Sequence, residues 1–349
     1  MNFKTPRHVI IREEALDDVP QVLKEYGCDS LLIVSDVNVR MLYGVRIEQI
    51  LLRMNIKPIF INVSTNDRPT LDKMHVELST LDFDCVAGMG GGRPVDVGKY
   101  LAFKLEKPFI SIPTSISHDG FASPIVALKD ENGNPLSLFT APPISVIVDL
   151  DVISQAPRRL LVSGVGDLLG KITSVADARL AAREVGEHVP ESALRMAEAA
   201  AHIVLENIES IVSFSKKSMT LLAEAGLLAG MSMSIAGSSR PCSGSEHLFS
   251  HAIDKLYPGR ALHGEQVGVG TIIAAYLHGM DWIRIKQALN AVGAPTSIED
   301  LHMTLDEAVT ALLLAPRLRD RYTILHKLSL EDKELREIVL RTVSKAKHQ

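Results

Sequence analysis

The chain is short of several features that mark whole classes of protein. It has 3 cysteines in 349 residues, Cys28, Cys85 and Cys242, scattered and without CxxC spacing. Neither a disulfide framework nor a thiolate metal site is indicated, and the three read as reduced, buried small hydrophobes. No block of Lys and Arg is long enough to track a phosphate backbone, and 37 basic against 42 acidic side chains leave a net charge of −5. Nucleic acid is therefore not an expected partner. Apolar runs such as residues 267–277 stop short of the roughly 18 to 20 residues that span a bilayer, so no membrane insertion is expected. The start, MNFKTPRHVIIREEALDD, is charged and has no continuous apolar core of the signal-peptide kind. A cytoplasmic protein is the default. Internal repeats, low-complexity tracts and a flexible linker are also missing.

What is present is the balance of a globular protein, 46% hydrophobic and 23% charged, in a length that suits two domains. Residues 30–36, 57–63, 85–90, 108–114 and 144–149 are largely continuous apolar runs of the kind buried on both faces of a sheet. Helical patterns separate the first three, which argues for a parallel sheet with right-handed crossovers. Residues 125–139 interrupt the series as a hairpin with Asn132 and Gly133 at its tip. Beyond Asp149 the chain is rich in Ala, Leu, Ser and Glu at helical spacing, with Pro157 near a helix start. The expected fold is an α/β N-terminal domain, a Rossmann-like parallel sheet with a hairpin insertion, over 1–153. An all-α C-terminal domain over 154–349 follows, and the two are expected to share a cleft.

Several stretches carry chemistry. Gly90, Gly91 and Gly92 close an apolar strand just before a helix beginning near Pro94. At that edge of an α/β sheet, helix N–H groups and the missing Cβ atoms suit a pyrophosphate, although a tight turn with no ligand fits equally. Asp96 and Lys99 then fall in the first helical turns. Asp36 ends the first of the runs, where an acid commonly accepts from a ribose 2′-OH, while Arg40 stands ready to shield an added phosphate. The next strand end carries Thr114, Ser115 and Ser117, then His118, Asp119 and Ser123. In the helical half His247 and His251 share one helix face, and a Pro258–Gly259 turn can bring His263 back to them. Glu246 stands on the wrong side of His247 for an HExxH protease. A carboxylate such as Asp167 would complete a mixed N/O site suited to Zn²⁺, but spacing alone does not select it. The loop over residues 237–244, GSSRPCSG, has Arg240 as its one full positive charge. It is a phosphate candidate alongside Lys171, with an ion pair as the alternative use of Arg240.

Together AGMGGGRPVDVGK, SHDGFASP, GVGDLLGK and AGSSRPCSGSEHLFSHAID resemble the glycerol dehydrogenase, dehydroquinate synthase and iron-type alcohol dehydrogenase superfamily. Within it, the sn-glycerol-1-phosphate dehydrogenase branch is the nearest match over essentially the whole chain. The resemblance implies a dehydroquinate synthase-like fold and one catalytic Zn²⁺ per chain on Asp167, His247 and His263. It implies NAD(H) or NADP(H) contacts from Gly90 to Asp96 (with Arg93, Pro94 and Val95), from Thr114 to Ser117 (with Ile116), and from Ser123. Asp119, Asp167 and His251 are then the catalytic groups facing substrate, joined by Lys171 and Arg240 in substrate binding. The implied reaction is reversible reduction of dihydroxyacetone phosphate to sn-glycerol 1-phosphate, supplying the backbone of archaeal-type ether phospholipids, in a homo-oligomer. Zn²⁺ would act as a Lewis acid on the C2 oxygen, with the proton relayed through His251 or Asp119.

The departures discriminate. Iron-type enzymes have a histidine ligand at the position of Lys171, and dehydroquinate synthases have Glu at that of Asp167. Glycerol dehydrogenases lack the SSRPCSGSEH loop, while Ala178 stands where the branch has Trp. A glycerol dehydrogenase acting on unphosphorylated polyols and a synthase-like lyase remain the alternatives.

Overall fold

The computed structural model describes residues 3–345; the outermost residues of both expected domains, 1, 2 and 346–349, lie outside that range. Two compact units emerge, one built from the chain up to Ala156 together with Ser215–Gly237, the other from Pro157–Phe214 and the chain from Ser238 onward.

The first unit is organised by a six-stranded, wholly parallel sheet. Its strands are β1 (His8–Arg12), β2 (Ser30–Ser35), β3 (Lys57–Asn62), β4 (Cys85–Gly90), β5 (Phe109–Pro113) and β8 (Ser145–Asp149), in the order β1-β8-β5-β4-β2-β3. β4, β5 and β8 are buried along their whole length, as continuous apolar runs covered on both faces require. β6 (Ile125–Lys129) and β7 (Pro135–Phe139) pair antiparallel as the expected hairpin, with Gly133 at φ 78° in its turn. The expected α/β architecture is present.

Three features differ from the sequence reading. β1 was hidden in a charged leader; it pairs with β8 from His8 against Ser145 to Arg12 against Asp149, so the strand that Asp36 follows is the second. Cys28 and Cys85 are joined in a disulfide, Cα atoms 6.2 Å apart, so the reading of all three cysteines as reduced is corrected; Cys242 is buried and outside the disulfide. The helix Lys216–Ala236 groups with the first unit although it lies within 154–349. Lys216 pairs with Asp151 at 2.6 Å, and a Cβ on Gly226 or Gly230 would lie within 2.8 Å of Phe121 or Ala122, so the helix backbone packs directly on that turn. This helix is long and apolar enough to cross a membrane by composition, contrary to the expectation from apolar run length, and 56% of its most apolar window is buried in packing.

The second unit is helical throughout the described residues, as its Ala- and Leu-rich period predicts. Its centre is the pair Arg158–Leu169 and His263–Leu277. A Cβ on Gly166 would lie 2.1 Å from the Gly264 carbonyl oxygen, and one on Gly264 would lie 1.8 Å from that of Ser163. These glycines allow a backbone-to-backbone approach no other residue permits, and it sets Asp167 beside His263.

Candidate active site

The carboxylate of Asp167 is 1% exposed and the two histidines converge on it. His247 Nε2 lies 3.3 Å and His263 Nε2 3.9 Å from Asp167 Oδ1, and one ligand atom from each residue falls within 4.8 Å of the others. The far side of each ring explains this aim. His247 Nδ1 donates to Glu246 Oε1 at 2.8 Å. His263 Nδ1 donates to Ser250 Oγ at 3.1 Å, whose own proton goes to Gln266 Oε1 at 2.6 Å, and Gln266 is held by Asp254 at 3.0 Å. With Nδ1 occupied as a donor in both rings, each Nε2 lone pair faces a carboxylate oxygen. That arrangement is repulsive unless a proton or a cation sits between them. A histidine anchored through its outer nitrogen by an acceptor is the usual support of a metal ligand. The donor set of two imidazoles and one carboxylate fits Zn²⁺ with a position left open.

The charges agree. Burial alone would raise the Asp167 carboxyl, but the Lys171 ammonium at 2.9 Å, then His247 and His263, hold it well below the usual carboxylate range. Burial works against the His247 imidazolium, yet its bonds to Asp167 and Glu246 raise it above its ordinary value. His251 lies one helical turn on, its ring 6.4 Å from His247 and 6.3 Å from His263. Burial, followed by the charges of Arg319, His263, His247 and Arg321, keeps it well below the imidazole range, so it rests neutral. Lys171 therefore acts on Asp167 rather than standing clear of it. Arg240 is buried; its Nε donates to both Glu187 oxygens, at 2.9 and 3.0 Å, the ion pair that was its alternative use.

In the first unit, the two polar loops are neighbours because β4 and β5 are: Gly90 pairs with Pro113, and Thr114 N donates to Gly90 O at 2.9 Å. The three glycines have different reasons. A Cβ on Gly90 would meet the Pro94 ring at 2.6 Å and one on Gly92 would meet His118 Nε2 at 2.1 Å, whereas Gly91 faces only Ser115 Oγ, at 3.6 Å. That hydroxyl is buried without a hydrogen-bond partner, an orphaned donor beside an open glycine at the start of the helix Gly92–Lys104. The fit to a phosphate-bearing cofactor is there. Val95, Asp96, Ile116 and Ser123 turn inward and are buried, and Arg93 donates to Ser64 O at 3.0 Å. Asp36 uses Oδ1 to cap its own helix, accepting from Asn38 N and Val39 N at 2.9 Å each, while Arg40 stacks on Phe60. Lys99 is buried and ties the loop that carries Asp119, donating to Gly120 O at 2.6 Å and Ile125 O at 2.8 Å.

The fold and this donor set define a class. Residues 10–157 match the family model described as iron-containing alcohol dehydrogenase. The architecture follows that of glycerol dehydrogenase from Schizosaccharomyces pombe, with a TM-score of 0.81 at 20% identity over 97% of this chain and 89% of that one. The structure is thus of the dehydroquinate synthase-like, iron-type alcohol dehydrogenase kind. The chain is 54% identical to a glycerol-1-phosphate dehydrogenase [NAD(P)+] from Thermofilum pendens over 95% of both chains. It is 38% identical to one from Nitrosopumilus maritimus over 97% of this chain and 96% of that one. It belongs to the glycerol-1-phosphate dehydrogenase [NAD(P)+] family and is an oxidoreductase that uses a nicotinamide cofactor on a small molecule.

Sequence reasoning missed the residues that hold the two candidate ligand histidines, Glu246, Ser250 and Gln266. Gln266 lies three residues after His263, and in the sequence Glu246 stands out only by its place on the wrong side of His247. It also missed Asp177, which accepts from Ser245 N and Ile324 N at 2.7 Å each and fixes the start of the histidine helix Ser245–Leu256.

Proposed function

We propose that this protein reduces dihydroxyacetone phosphate to sn-glycerol 1-phosphate, reversibly, with NADH or NADPH, at a Zn²⁺ held by Asp167, His247 and His263. The observation that carries the reading is the pair of anchored histidines whose Nε2 atoms converge on one buried carboxylate oxygen. When bound, Zn²⁺ supplies Lewis acidity toward the C2 oxygen and the nicotinamide supplies hydride. The chain's own residues do the rest. Glu246 and Ser250 fix the ring orientations, and Lys171 keeps Asp167 ionised. His251, resting neutral, accepts a proton at one ring nitrogen while releasing another, and with Asp119 it moves the proton that the product oxygen gains or loses. Gly91 and Ser115 receive the cofactor phosphates at the helix start, with the neighbouring backbone from Gly90 to Asp96 and from Thr114 to Ser117, and Ser123 shapes the loop. Asp36 keeps its second oxygen for a ribose hydroxyl, and Arg40 allows a 2′-phosphate, so both cofactors are used. Arg240 and Lys171 complete the substrate side. A cytoplasmic homo-oligomer making archaeal-type lipid backbones is part of the same reading.

Stripping metal with a chelator and restoring it tests the proposal. Nicotinamide oxidation with dihydroxyacetone phosphate should vanish and return with Zn²⁺. His263→Ala should lose zinc and turnover together while its circular dichroism stays unchanged. Full activity in metal-free His263→Ala protein, or faster turnover of glycerol than of glycerol 1-phosphate, would overturn it.

A further inference from the structure

The loop ahead of the histidine helix concentrates positive charge beyond what its carboxylates neutralise. Arg240, besides its Glu187 pair, donates through Nη2 to the carbonyl oxygens of Asp177 at 3.1 Å and Tyr322 at 2.5 Å. Its remaining nitrogen, Nη1, is buried without a hydrogen-bond partner. Arg321, half-buried, reaches the same loop from another segment, donating to Ser243 O at 2.5 Å and Ser239 Oγ at 2.8 Å. Its guanidinium is thus fixed at two points, and no carboxylate lies within ion-pair distance of it among the described residues. The nearby Glu187 is already engaged by Arg240.

Charge of this kind is costly to assemble. Burial, then the neighbouring charges of Arg240 and Arg319, push the Arg321 guanidinium down to about 10. Ser243, which Arg321 holds, lies two residues before the helix Ser245–Leu256 that carries His247 and His251, and the His251 ring is 6.4 Å from that of His247 and 6.3 Å from that of His263. The cluster therefore borders the metal triad rather than a remote surface. A planar, partly buried guanidinium with fixed orientation and no carboxylate within ion-pair distance is suited to an oxyanion, which a phosphate dianion satisfies in paired, charge-assisted bonds.

We propose that Arg321 binds the phosphate of the substrate, with Arg240 Nη1 as a second donor beside it. This rests on the reading of the protein as an enzyme of a phosphorylated three-carbon substrate. It moves the main phosphate contact from Arg240, which Glu187 and two carbonyl oxygens hold in place, to a residue the sequence had not singled out.

The test compares wild type, Arg321→Ala and Arg321→Lys on dihydroxyacetone phosphate and on unphosphorylated dihydroxyacetone, with inorganic phosphate as inhibitor and, separately, as a ligand in calorimetry. Arg321→Ala should raise KM for the phosphorylated substrate by about tenfold to a hundredfold, the range for one lost charged hydrogen-bonding partner. Turnover of dihydroxyacetone and zinc content should stay as in wild type, inorganic phosphate should bind more weakly by a similar factor, and Arg321→Lys should recover part of the loss. Equal losses on both substrates, or unchanged KM and phosphate binding, would overturn the assignment. A wild type that binds inorganic phosphate through Arg321 but does not reduce dihydroxyacetone phosphate would sink the proposed function and leave the anion site standing.

Discussion

Replacing Glu246 with Gln removes one charge from the support of His247, a proposed metal ligand, while keeping its shape. Glu246 is fully buried; Oε1 accepts from His247 Nδ1 at 2.8 Å and Gly244 N at 2.6 Å, and Oε2 accepts from Thr173 Oγ1 at 2.7 Å. A glutamine whose amide oxygen takes the Oε1 place still serves the first two donors. The Thr173 hydroxyl can then accept from the new NH₂ and donate to Gly170 O, already 3.1 Å away. No buried group need be stranded, so the fold should survive. What is lost is the difference between a charged and a neutral acceptor on His247, about 1.4 kcal/mol or roughly tenfold in zinc affinity, the low end of the range for such supporting partners. Glu246→Ala strands the His247, Gly244 and Thr173 donors as well. It should approach a hundredfold loss, roughly 2.7 kcal/mol, with a clear fall in Tm. Competition for Zn²⁺ against a chromophoric chelator reads the affinity, and thermal unfolding reads the fold. Wild-type zinc affinity in both variants would refute the claim that Glu246 orients a metal ligand.

Gly92→Ala places a methyl where His118 stands, 2.1 Å from its Nε2. It should cost about 1 to 3 kcal/mol of stability and weaken nicotinamide binding, measured by fluorescence titration, whereas Gly91→Ala should weaken binding with little loss of Tm. Gly166→Ala drives a methyl against the Gly264 carbonyl oxygen, so stability and zinc content should fall together in unfolding and metal analysis. Asp84 accepts from Asp29 N, Ser30 N and Ser30 Oγ at 2.8 to 2.9 Å, and the Ser30 bond first among these holds its carboxyl below the ordinary value. Its contribution is therefore present above the unfolded carboxyl's range and lost as pH falls through the folded value. Asp84→Ala should cost about 1 to 3 kcal/mol at neutral pH, a gap that closes in acid denaturant melts.

The strands with continuous apolar runs were legible because a strand covered on both faces has to be apolar along its length, and the hairpin because its turn residues declare themselves. β1 was not: HVIIR is a short edge strand among charges, and its partner β8 lies over 130 residues away. The Cys28–Cys85 disulfide likewise depends on β2 and β4 being adjacent, a pairing that spacing does not encode. The proposed metal triad was carried by resemblance on its motifs, since the distance from Asp167 to His263 closes only through the Gly166–Gly264 contact. Glu246 and Ser250 act through ring nitrogens turned away from the site, and Arg321 reaches its loop from 78 residues downstream, so neither role leaves a local pattern.

The chirality of the product decides which reaction this protein catalyses. Zinc-loaded protein is given dihydroxyacetone phosphate with NADH or NADPH, and the chirality of the product is determined. Nicotinamide oxidation should run in step with formation of sn-glycerol 1-phosphate alone; sn-glycerol 3-phosphate as the product, or no oxidation with either cofactor, would refute the proposed reaction.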